Sequence, residues 1–155
     1  VFTEIVRREP SALLILVGSG GDLENKVKEK VLQSGLKNNV RFMGSRADIP
    51  DLLQGMDVFI FPSYFEGLGI AQLEAQASGL RVLNSTNIPK DGIIIPELVD
   101  FLSLKQSASE WAEKALQMTG NRNRKKYSQE IASKGFDINK NAKWLQDLYI
   151  TESRR

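Results

Sequence analysis

Residues 61–79 have the sequence FPSYFEGLGIAQLEAQASG and contain a transition from a strand to a helix. The apolar run 58–61 is typical of a buried strand. Pro62 and Ser63 then favour a bend, and apolar residues recur with helical spacing up to Gly79, where we expect the helix to end. A buried strand that leads directly into a helix is the unit from which parallel α/β folds are built.

Two carboxylates lie on either side of this junction. Glu66 and Glu74 are separated by a segment that includes Gly67 and Gly69, and these glycines let a ligand approach the backbone closely. Free N–H groups at a helix N-terminus bind anions, above all phosphates. An ionised carboxylate accepts hydrogen bonds from hydroxyls. Together they predict a ligand that carries phosphate and hydroxyl groups, such as a nucleotide sugar.

Both carboxylates also have a purely structural explanation. Glu66 could favour the helix dipole, and Glu74 could occupy one polar position of an amphipathic helix. However, Glu74 is flanked by Leu73 and Ala75 in a helix that is nearly all apolar. A carboxylate is rarely buried without a partner, so we expect Glu74 to face a cleft.

Composition limits the possible chemistry. The chain has 155 residues, which predicts one domain, and its net charge of +2 gives no reason to expect a nucleic-acid partner. It contains neither cysteine nor histidine. Disulfides, thiolate metal sites and Ser-His or Cys-His nucleophiles are therefore excluded. A basic run at 122–126 favours a solvated loop or helix face, with contact to anionic lipid or phosphate as the alternative.

Targeting signals are not visible in the sequence. No apolar stretch reaches the ~18–20 residues that span a bilayer, and the first residues form an amphipathic segment instead of a signal peptide. We therefore expect a cytoplasmic location. The opening segment resembles the body of a helix without an N-cap, so we also expect the sequence to begin partway into a larger protein.

Strands and helices alternate along the rest of the chain. We predict strands over 12–17, 40–43, 57–61, 81–84 and 98–104, with the first buried on both faces. Helices are predicted over 1–9, 22–34 and 49–55, and helical periodicity continues from Ser107 to the end, with a tail at about 137–150. Asp22, Ser107 and Ser109 are N-cap candidates. This order predicts an α/β, Rossmann-like fold with a mostly parallel sheet, helices on both faces and a ligand cleft at the carboxyl ends of the strands.

The turn Gly18–Gly21 invites comparison with a dinucleotide-binding fingerprint. Leu23 stands where the third glycine of G-x-G-x-x-G belongs, and the next strand ends in Met43 and Gly44 without an acid for the ribose. A tight βα turn that lines a nucleotide cleft is the favoured interpretation.

Four blocks of the chain, in order, resemble those of retaining GT-B glycosyltransferases of family 4. The segment from Glu66 to Glu74 is similar to the E-x7-E signature of that family. Residues 14–21 (LILVGSGG) and 40–53 (VRFMGSRADIPDLL) look like its glycine turn and its V-x-F-x-G block, and residues 135–149 look like its C-terminal helix. The resemblance implies that residues 1–155 are the nucleotide-sugar donor-binding domain, the C-terminal half of a GT-B fold.

By this resemblance, Glu66 contacts the transferred sugar and is the catalytic candidate, while Glu74 binds the ribose. Backbone groups at Gly67, Leu68, Gly69 and Ile70 approach the sugar and diphosphate. Gly18, Gly44, Arg46 and Asp48 border the donor, the last three around the base, where Arg46 could stack on it or remain an exposed surface arginine. The arginine and lysine with which the family binds the diphosphate belong to a strand that would precede Val1.

The resemblance also implies an activity and its partners. The parent protein would be a hexosyltransferase that moves a sugar from a UDP-sugar, or alternatively a GDP-sugar, to a glycan or lipid-linked acceptor in bacterial surface polysaccharide synthesis. It would need an N-terminal acceptor domain, and this piece alone would be inactive. No cofactor or metal is expected, and contact with the inner membrane face is left open. Two alternatives remain, a nucleotide-sugar 2-epimerase-like isomerase and a non-catalytic nucleotide-binding module.

Overall fold

A computed structural model describes residues 1–120 and 127–152, so the basic run at 122–126 lies outside the described residues. Helices and strands alternate through most of this range. Their bounds are α1 Phe2–Arg8, β1 Leu14–Leu16, α2 Asp22–Gln33, β2 Val40–Phe42, α3 Ile49–Gln54, β3 Val58–Phe61, α4 Ile70–Ala77, β4 Arg81–Ser85, β5 Val99–Leu102, α5 Ala108–Gln117, α6 Tyr127–Ile131 and α7 Ile138–Glu152. Short 3-10 turns lie at Lys90–Gly92 and Pro96–Leu98, and a π-helical turn at Ala132–Phe136.

All strand pairs in the described residues are parallel, as the alternating pattern predicted. They form a two-stranded sheet, β1–β2, and a three-stranded sheet in the order β3–β4–β5. Phe61 of β3 and Phe101 of β5 lie in register with Asn84 of β4. The carboxyl ends of β3 and β4 are thus side by side, and the 61–79 segment leaves the sheet there.

Helices cover both faces of the three-stranded sheet. Leu83 of β4 is buried against Trp111 of α5 and Ile5 of α1. The neighbouring Val82 is buried on the other face with Leu53 of α3 and Ala75 of α4. Successive residues of a strand point to opposite faces, so adjacent positions of β4 serve two separate clusters. Full burial of one aliphatic side chain stabilises a fold by about 1.5–3 kcal/mol. Because β4 contributes such side chains to both clusters, it stabilises the packing on both faces of the sheet.

The predicted N-cap of α5 is confirmed. The Ser107 side chain accepts from the Glu110 backbone N–H, and the Glu110 carboxylate accepts from the Ser107 N–H in return, which completes a capping box. Ser109 lies inside this helix. The cap predicted at Asp22 is wrong, because the helix already includes Asp22 and Gly21 takes the N-cap position without a side-chain hydrogen bond.

The first strand is less covered than predicted. We expected it to be buried on both faces, but Leu14, Ile15 and Leu16 are each only partly buried. Leu13, just before β1, is half-exposed. In the ranges that the structure describes, β1 pairs with β2 alone, so its other edge is uncovered.

Helical structure after Ser107 is interrupted instead of continuous. The helix α5 ends at Gln117, residues 119 and 120 are not helical, and the next helix of the described residues is α6, Tyr127–Ile131. Gly135 interrupts the helical backbone with a φ of 98° immediately before α7. The helix α7 contains no buried residue.

Candidate functional site

The loop between β3 and α4 holds Glu66 through a serine from the predicted bend. The Ser63 hydroxyl donates to the Glu66 carboxylate at 2.8 Å. The same hydroxyl lies 3.0 Å from the Phe65 carbonyl, and the Ser85 hydroxyl at the end of β4 donates to the Ser63 carbonyl at 2.5 Å. Glu66 is partly buried. Its position is therefore fixed by the sheet and not by the loop alone.

Backbone donors are concentrated in this loop. In the described part of the chain, none of the backbone N–H groups of residues 64–71 has an acceptor. The first hydrogen bonds of α4 are donated by Gln72 and Leu73, both to the Gly69 carbonyl. A run of free N–H groups at a helix N-terminus suits an anionic ligand.

Gly69 is the residue that turns the loop into the helix. It has a φ of 71° and a ψ of 63°, in the left-handed region where a side chain is disfavoured. A Cβ atom at Gly69 would lie 2.9 Å from the Gln72 Nε2 atom. The glycine is therefore required both by its backbone conformation and by the space around it.

The second carboxylate of the pair, Glu74, lies on the exposed side of α4. The residues on either side of it, Leu73 and Ala75, are buried, as are Gln72 and Gln76. Among the described residues the Glu74 carboxylate has no hydrogen-bond or ion-pair partner. The structure thus places an unpaired acceptor one to two turns into α4, whose N-terminus carries the free N–H groups.

Sequence reasoning missed the buried amides beneath the loop. Gln72, Gln76 and Asn84 are fully buried, although amide side chains are usually exposed. Gln76 accepts hydrogen bonds from the Ile94 and Ile95 N–H groups, both at 2.9 Å. The signal in the sequence was the presence of two glutamines in a helix whose other residues, apart from Glu74, are apolar.

A second group of predicted residues lies at the ends of β1 and β2. The Gly18 N–H donates to the Gly44 carbonyl at 2.8 Å, which joins the two loops. Arg46 makes a bidentate ion pair with Asp48, with its Nε atom 2.7 Å from one carboxylate oxygen and its Nη2 atom 2.5 Å from the other. The side-chain hydrogen bond raises the pKa of Arg46 and lowers the pKa of Asp48.

The two groups of site residues are separate in their hydrogen bonding. In the described ranges, no hydrogen bond or ion pair joins the group at Gly18, Gly44, Arg46 and Asp48 to the Glu66–Glu74 loop. Both groups lie at the carboxyl ends of parallel strands, where α/β folds bind ligands.

An open cavity of about 210 Å³ lies beside Gly18. Its walls are mostly apolar and come from β1, β2 and the start of α2. They include Leu16, Leu23, Val27 and Phe42. The Lys28 ammonium lies 5.5 Å from the centre of the Phe42 ring, in a cation–π contact. No residue of the Glu66–Glu74 loop lines this cavity, and its apolar walls offer few groups that could orient a sugar or a phosphate.

Residues 1–120 and 127–152 contain neither a cluster of metal ligands nor a membrane-spanning helix. No three acidic side chains come together there as a set of metal ligands. No helix in the same ranges has the length and apolar character needed to cross a bilayer.

The sequence matches known proteins over most of its length. A family model described as glycosyl transferases group 1 matches residues 1–121. EpsF of Bacillus subtilis, which carries a provisional glycosyltransferase name, is 34% identical over 138 residues, covering 88% of this chain and 36% of EpsF. The UDP-Gal:alpha-D-GlcNAc-diphosphoundecaprenol alpha-1,3-galactosyltransferase of Escherichia coli is 30% identical over 145 residues, covering 91% of this chain and 37% of that protein. The chain therefore spans just over a third of the length of these relatives.

The fold matches as well. Sucrose-phosphate synthase from Thermosynechococcus elongatus superimposes with a TM-score of 0.75 at 22% identity, covering 99% of this chain and 41% of that one. At this identity the likeness concerns the fold alone, and it agrees with the Rossmann-like α/β fold predicted from the sequence.

Proposed function

The chain belongs to the glycosyl transferases group 1 family, and we propose that it is the donor-binding part of an enzyme that transfers a sugar from a nucleoside-diphosphate sugar. The observation that carries this proposal is the Glu66–Glu74 loop. It combines free backbone N–H groups at the start of α4 with two carboxylates, one held by Ser63 and one unpaired. Phosphate acceptors and sugar hydroxyl donors are the complement of that arrangement.

The diphosphate, the ribose and the transferred sugar would each have a matching group in the segment from Glu66 to Glu74. The N–H groups of Gly67, Leu68, Gly69 and Ile70 would donate to the diphosphate and the adjoining sugar. Glu74 would accept from the ribose hydroxyls, and Glu66 from hydroxyls of the transferred sugar. A partly buried carboxylate that is already oriented by Ser63 binds with little loss of side-chain freedom.

The base would lie at the other group of predicted residues. Gly18 and Gly44 are joined by a backbone hydrogen bond just after the ends of β1 and β2. The Arg46 guanidinium donates along one edge to both oxygens of Asp48, which would leave the face of its plane available for stacking on the base. We favour a UDP-sugar as donor. The Escherichia coli relative is named for a UDP-Gal donor, which supports this choice.

The reaction would proceed with retention at the anomeric carbon. The bond from that carbon to the diphosphate oxygen breaks, and a new bond forms to the acceptor hydroxyl on the same face. The acceptor proton passes to the leaving phosphate, so no histidine or cysteine is needed. Backbone N–H groups aimed at the diphosphate would stabilise the charge that develops on it, which is the kind of contribution that oxyanion donors make.

We further propose a glycan or lipid-linked acceptor, in bacterial surface polysaccharide synthesis. The same relative is named for an acceptor joined to diphosphoundecaprenol. Transfer assays with the complete enzyme would test this point. Transfer to small soluble acceptors alone would reject it.

An NMR titration tests the donor site directly. Backbone amide spectra would be recorded with UDP, GDP and ADP at concentrations up to millimolar. We expect saturable shifts for residues 66–74 with UDP, and weaker binding by Glu74→Ala. Glu113→Ala is the matched control, because Glu113 is another exposed helical carboxylate, on α5, and should leave the titration unchanged.

The nucleotide that binds most tightly identifies the base. Shifts confined to residues outside both groups of site residues would contradict the proposed donor site. Equal binding by the wild type and by Glu74→Ala would reject the ribose role of Glu74. In the complete enzyme, release of nucleoside diphosphate only when an acceptor is present would distinguish transfer from epimerisation.

A further inference from the structure

The buried side-chain amides of Asn84 and Gln72 form a continuous hydrogen-bonded path from the sheet to the loop between β3 and α4. The Asn84 Nδ2 atom, at the end of β4, donates to the Gln72 Oε1 atom at 2.5 Å. The Gln72 Nε2 atom then donates to the Leu68 carbonyl at 3.0 Å. Both side chains have no exposed surface. These two bonds satisfy both amide atoms of Gln72, whereas the Asn84 Oδ1 atom is buried without a partner among the described residues.

The second of these bonds determines which way one peptide of the loop faces. The Leu68 carbonyl and the Gly69 N–H belong to the same peptide unit. In a trans peptide the C=O and N–H groups point in opposite directions. Because Gln72 holds the carbonyl on its own buried side, the Gly69 N–H points away from Gln72. In the described residues that N–H has no acceptor.

The first bond removes the alternative orientation of Gln72. Rotating its amide by a half-turn would place the oxygen against the Leu68 carbonyl and the nitrogen against the Asn84 donor. Both contacts would be repulsive. The Leu68 carbonyl can only accept, so the Gln72 Nε2 atom faces it, and Asn84 supports this orientation by donating to the Gln72 Oε1 atom.

Gly92 closes the space on the other side of the same hydrogen bond. A Cβ atom at Gly92 would lie 2.5 Å from the Leu68 carbonyl oxygen and 2.6 Å from the Gln72 Nε2 atom. Both atoms of the bond therefore rest against the bare backbone of the 3-10 turn Lys90–Gly92. A side chain at this position would displace the carbonyl, and the peptide would turn with it.

We infer that Gln72, with Asn84 behind it, is a positioning residue that keeps the Gly69 N–H directed at the phosphate and sugar of the donor. The inference rests on the proposed function for the identity of the ligand. Neither residue is one of the two glutamates of the signature, and neither is exposed to touch a donor. They act through the Leu68–Gly69 peptide, which is preorganised before any ligand binds.

A pair of variants distinguishes positioning from mere structural support. Gln72→Met removes both hydrogen bonds and leaves the Asn84 donor buried without a partner, so it should lower both stability and UDP affinity. The double variant Gln72→Met with Asn84→Leu removes both polar partners and should recover much of the stability. The UDP affinity of the double variant should stay about tenfold below that of the wild type. The Leu68 carbonyl still lacks its hydrogen bond from Gln72, so the Gly69 N–H is no longer held toward the phosphate and its hydrogen bond to that charged group is weakened.

Gly92→Ala perturbs the same peptide from another element. With Gln72 intact, it should weaken UDP binding to a similar extent. Gly55→Ala is the matched control, since a Cβ atom there would meet the Leu52 and Asp51 carbonyl oxygens at 3.4 and 4.0 Å, which are ordinary contacts. A double variant that binds UDP as tightly as the wild type would overturn the inference and leave the amides with a structural role only.

Hydrogen exchange decides the point without any ligand. In the wild type, the Gly69 amide proton should exchange faster than the hydrogen-bonded amide protons of α4, because it has no acceptor although the residue is buried. The Gln72 side-chain protons should exchange slowly. A Gly69 amide that is protected in the absence of ligand would overturn the inference, because its N–H would then be paired inward. If the wild type failed to bind any nucleotide, the proposed function would fail, and the exchange data would still decide the orientation of the peptide.

Discussion

The two sheets of this molecule support their site residues in different ways. In the three-stranded region, four of the five residues of β4 and four of the eight residues of α4 are buried. In the two-stranded region, α2 has twelve residues and none is buried. Leu23 of α2 is 67% exposed, whereas Leu83 of β4 has no exposed surface.

This contrast extends to the two groups of predicted ligand contacts. The Glu66–Glu74 loop is fixed from below by Ser85, Gln72 and Gly92, all of them buried. The group at the ends of β1 and β2 is held by one backbone hydrogen bond and by the exposed Arg46–Asp48 ion pair. The proposed diphosphate end of the site is therefore preorganised, while the proposed base end depends on surface interactions that contribute little.

The largest effect on stability is expected from truncating a side chain in the core between β4, α1 and α5. Leu83→Ala should lower the free energy of unfolding by about 2–5 kcal/mol, since it leaves a cavity between β4, α1 and α5. Leu23→Ala in the two-stranded region should change it by no more than about 0.5 kcal/mol. Urea unfolding of both variants measures the difference, and equal losses would remove the contrast between the regions.

Two glycines with similar backbone angles provide the next comparison. Gly69 and Gly44 have φ values of 71° and 62°, but a Cβ atom would meet Gln72 at Gly69 and nothing within 4 Å at Gly44. Gly44→Ala should cost about 1–2 kcal/mol from backbone strain alone. Gly69→Ala should cost about 2–4 kcal/mol, because overpacking adds to the strain. Thermal unfolding measures both, and a larger loss for Gly44→Ala would contradict the assignment of the rigid loop.

The sequence predicted those features that depend on local pattern. Mainly apolar segments located the five strands of the described residues to within a few positions. Of the two serines predicted as N-cap candidates, Ser107 takes the cap of α5 and Ser109 lies inside the helix. The parallel arrangement followed from the alternation of strands and helices. At Asp22 the same local reasoning failed, because a capping residue type at the start of a helix does not determine which residue takes the cap position.

Features that depend on contacts between distant residues were not predictable. Gln72 and Asn84 are twelve positions apart, and each alone resembles a surface residue in an apolar segment. Their burial is visible only once α4 lies over β4. Similarly, the apolar run of β1 predicted burial on both faces, but burial requires covering elements, and β1 is partly exposed. The Glu66–Glu74 pair could be predicted because its signature is local, and its role in binding stays a prediction.

Helix capping offers a smaller test of the same contrast. The helix α5 in the well-packed region has a side-chain cap, while α2 has none. Ser107→Ala should lower the free energy of unfolding by about 1 kcal/mol. Ser109→Ala, which removes only an exposed hydrogen bond from Arg8, should have less effect in urea unfolding. Equal effects would mean that the capping box contributes nothing beyond one surface hydrogen bond.

The smallest effect on stability is expected at the Arg46–Asp48 pair. The side chains of Arg46 and Asp48 are 38% and 40% exposed, and ion pairs near the surface contribute little, so Arg46→Met should leave the urea midpoint unchanged within error. The pH dependence of the Arg46–Asp48 pair should nevertheless be measurable. The hydrogen bond from Arg46 lowers the pKa of Asp48 below its ordinary value of 3.8. The pair therefore persists above that value and is lost as the pH falls through the lowered pKa. An NMR titration of the Asp48 carboxyl carbon should show this depressed pKa in the wild type, and a return to the ordinary value in Arg46→Met. If the pKa of Asp48 stayed depressed in Arg46→Met, a group other than Arg46 would have to stabilise the Asp48 carboxylate. The residues at the ends of β1 and β2 would then be held by more than the Arg46–Asp48 pair, and the contrast with the Glu66–Glu74 segment would be smaller.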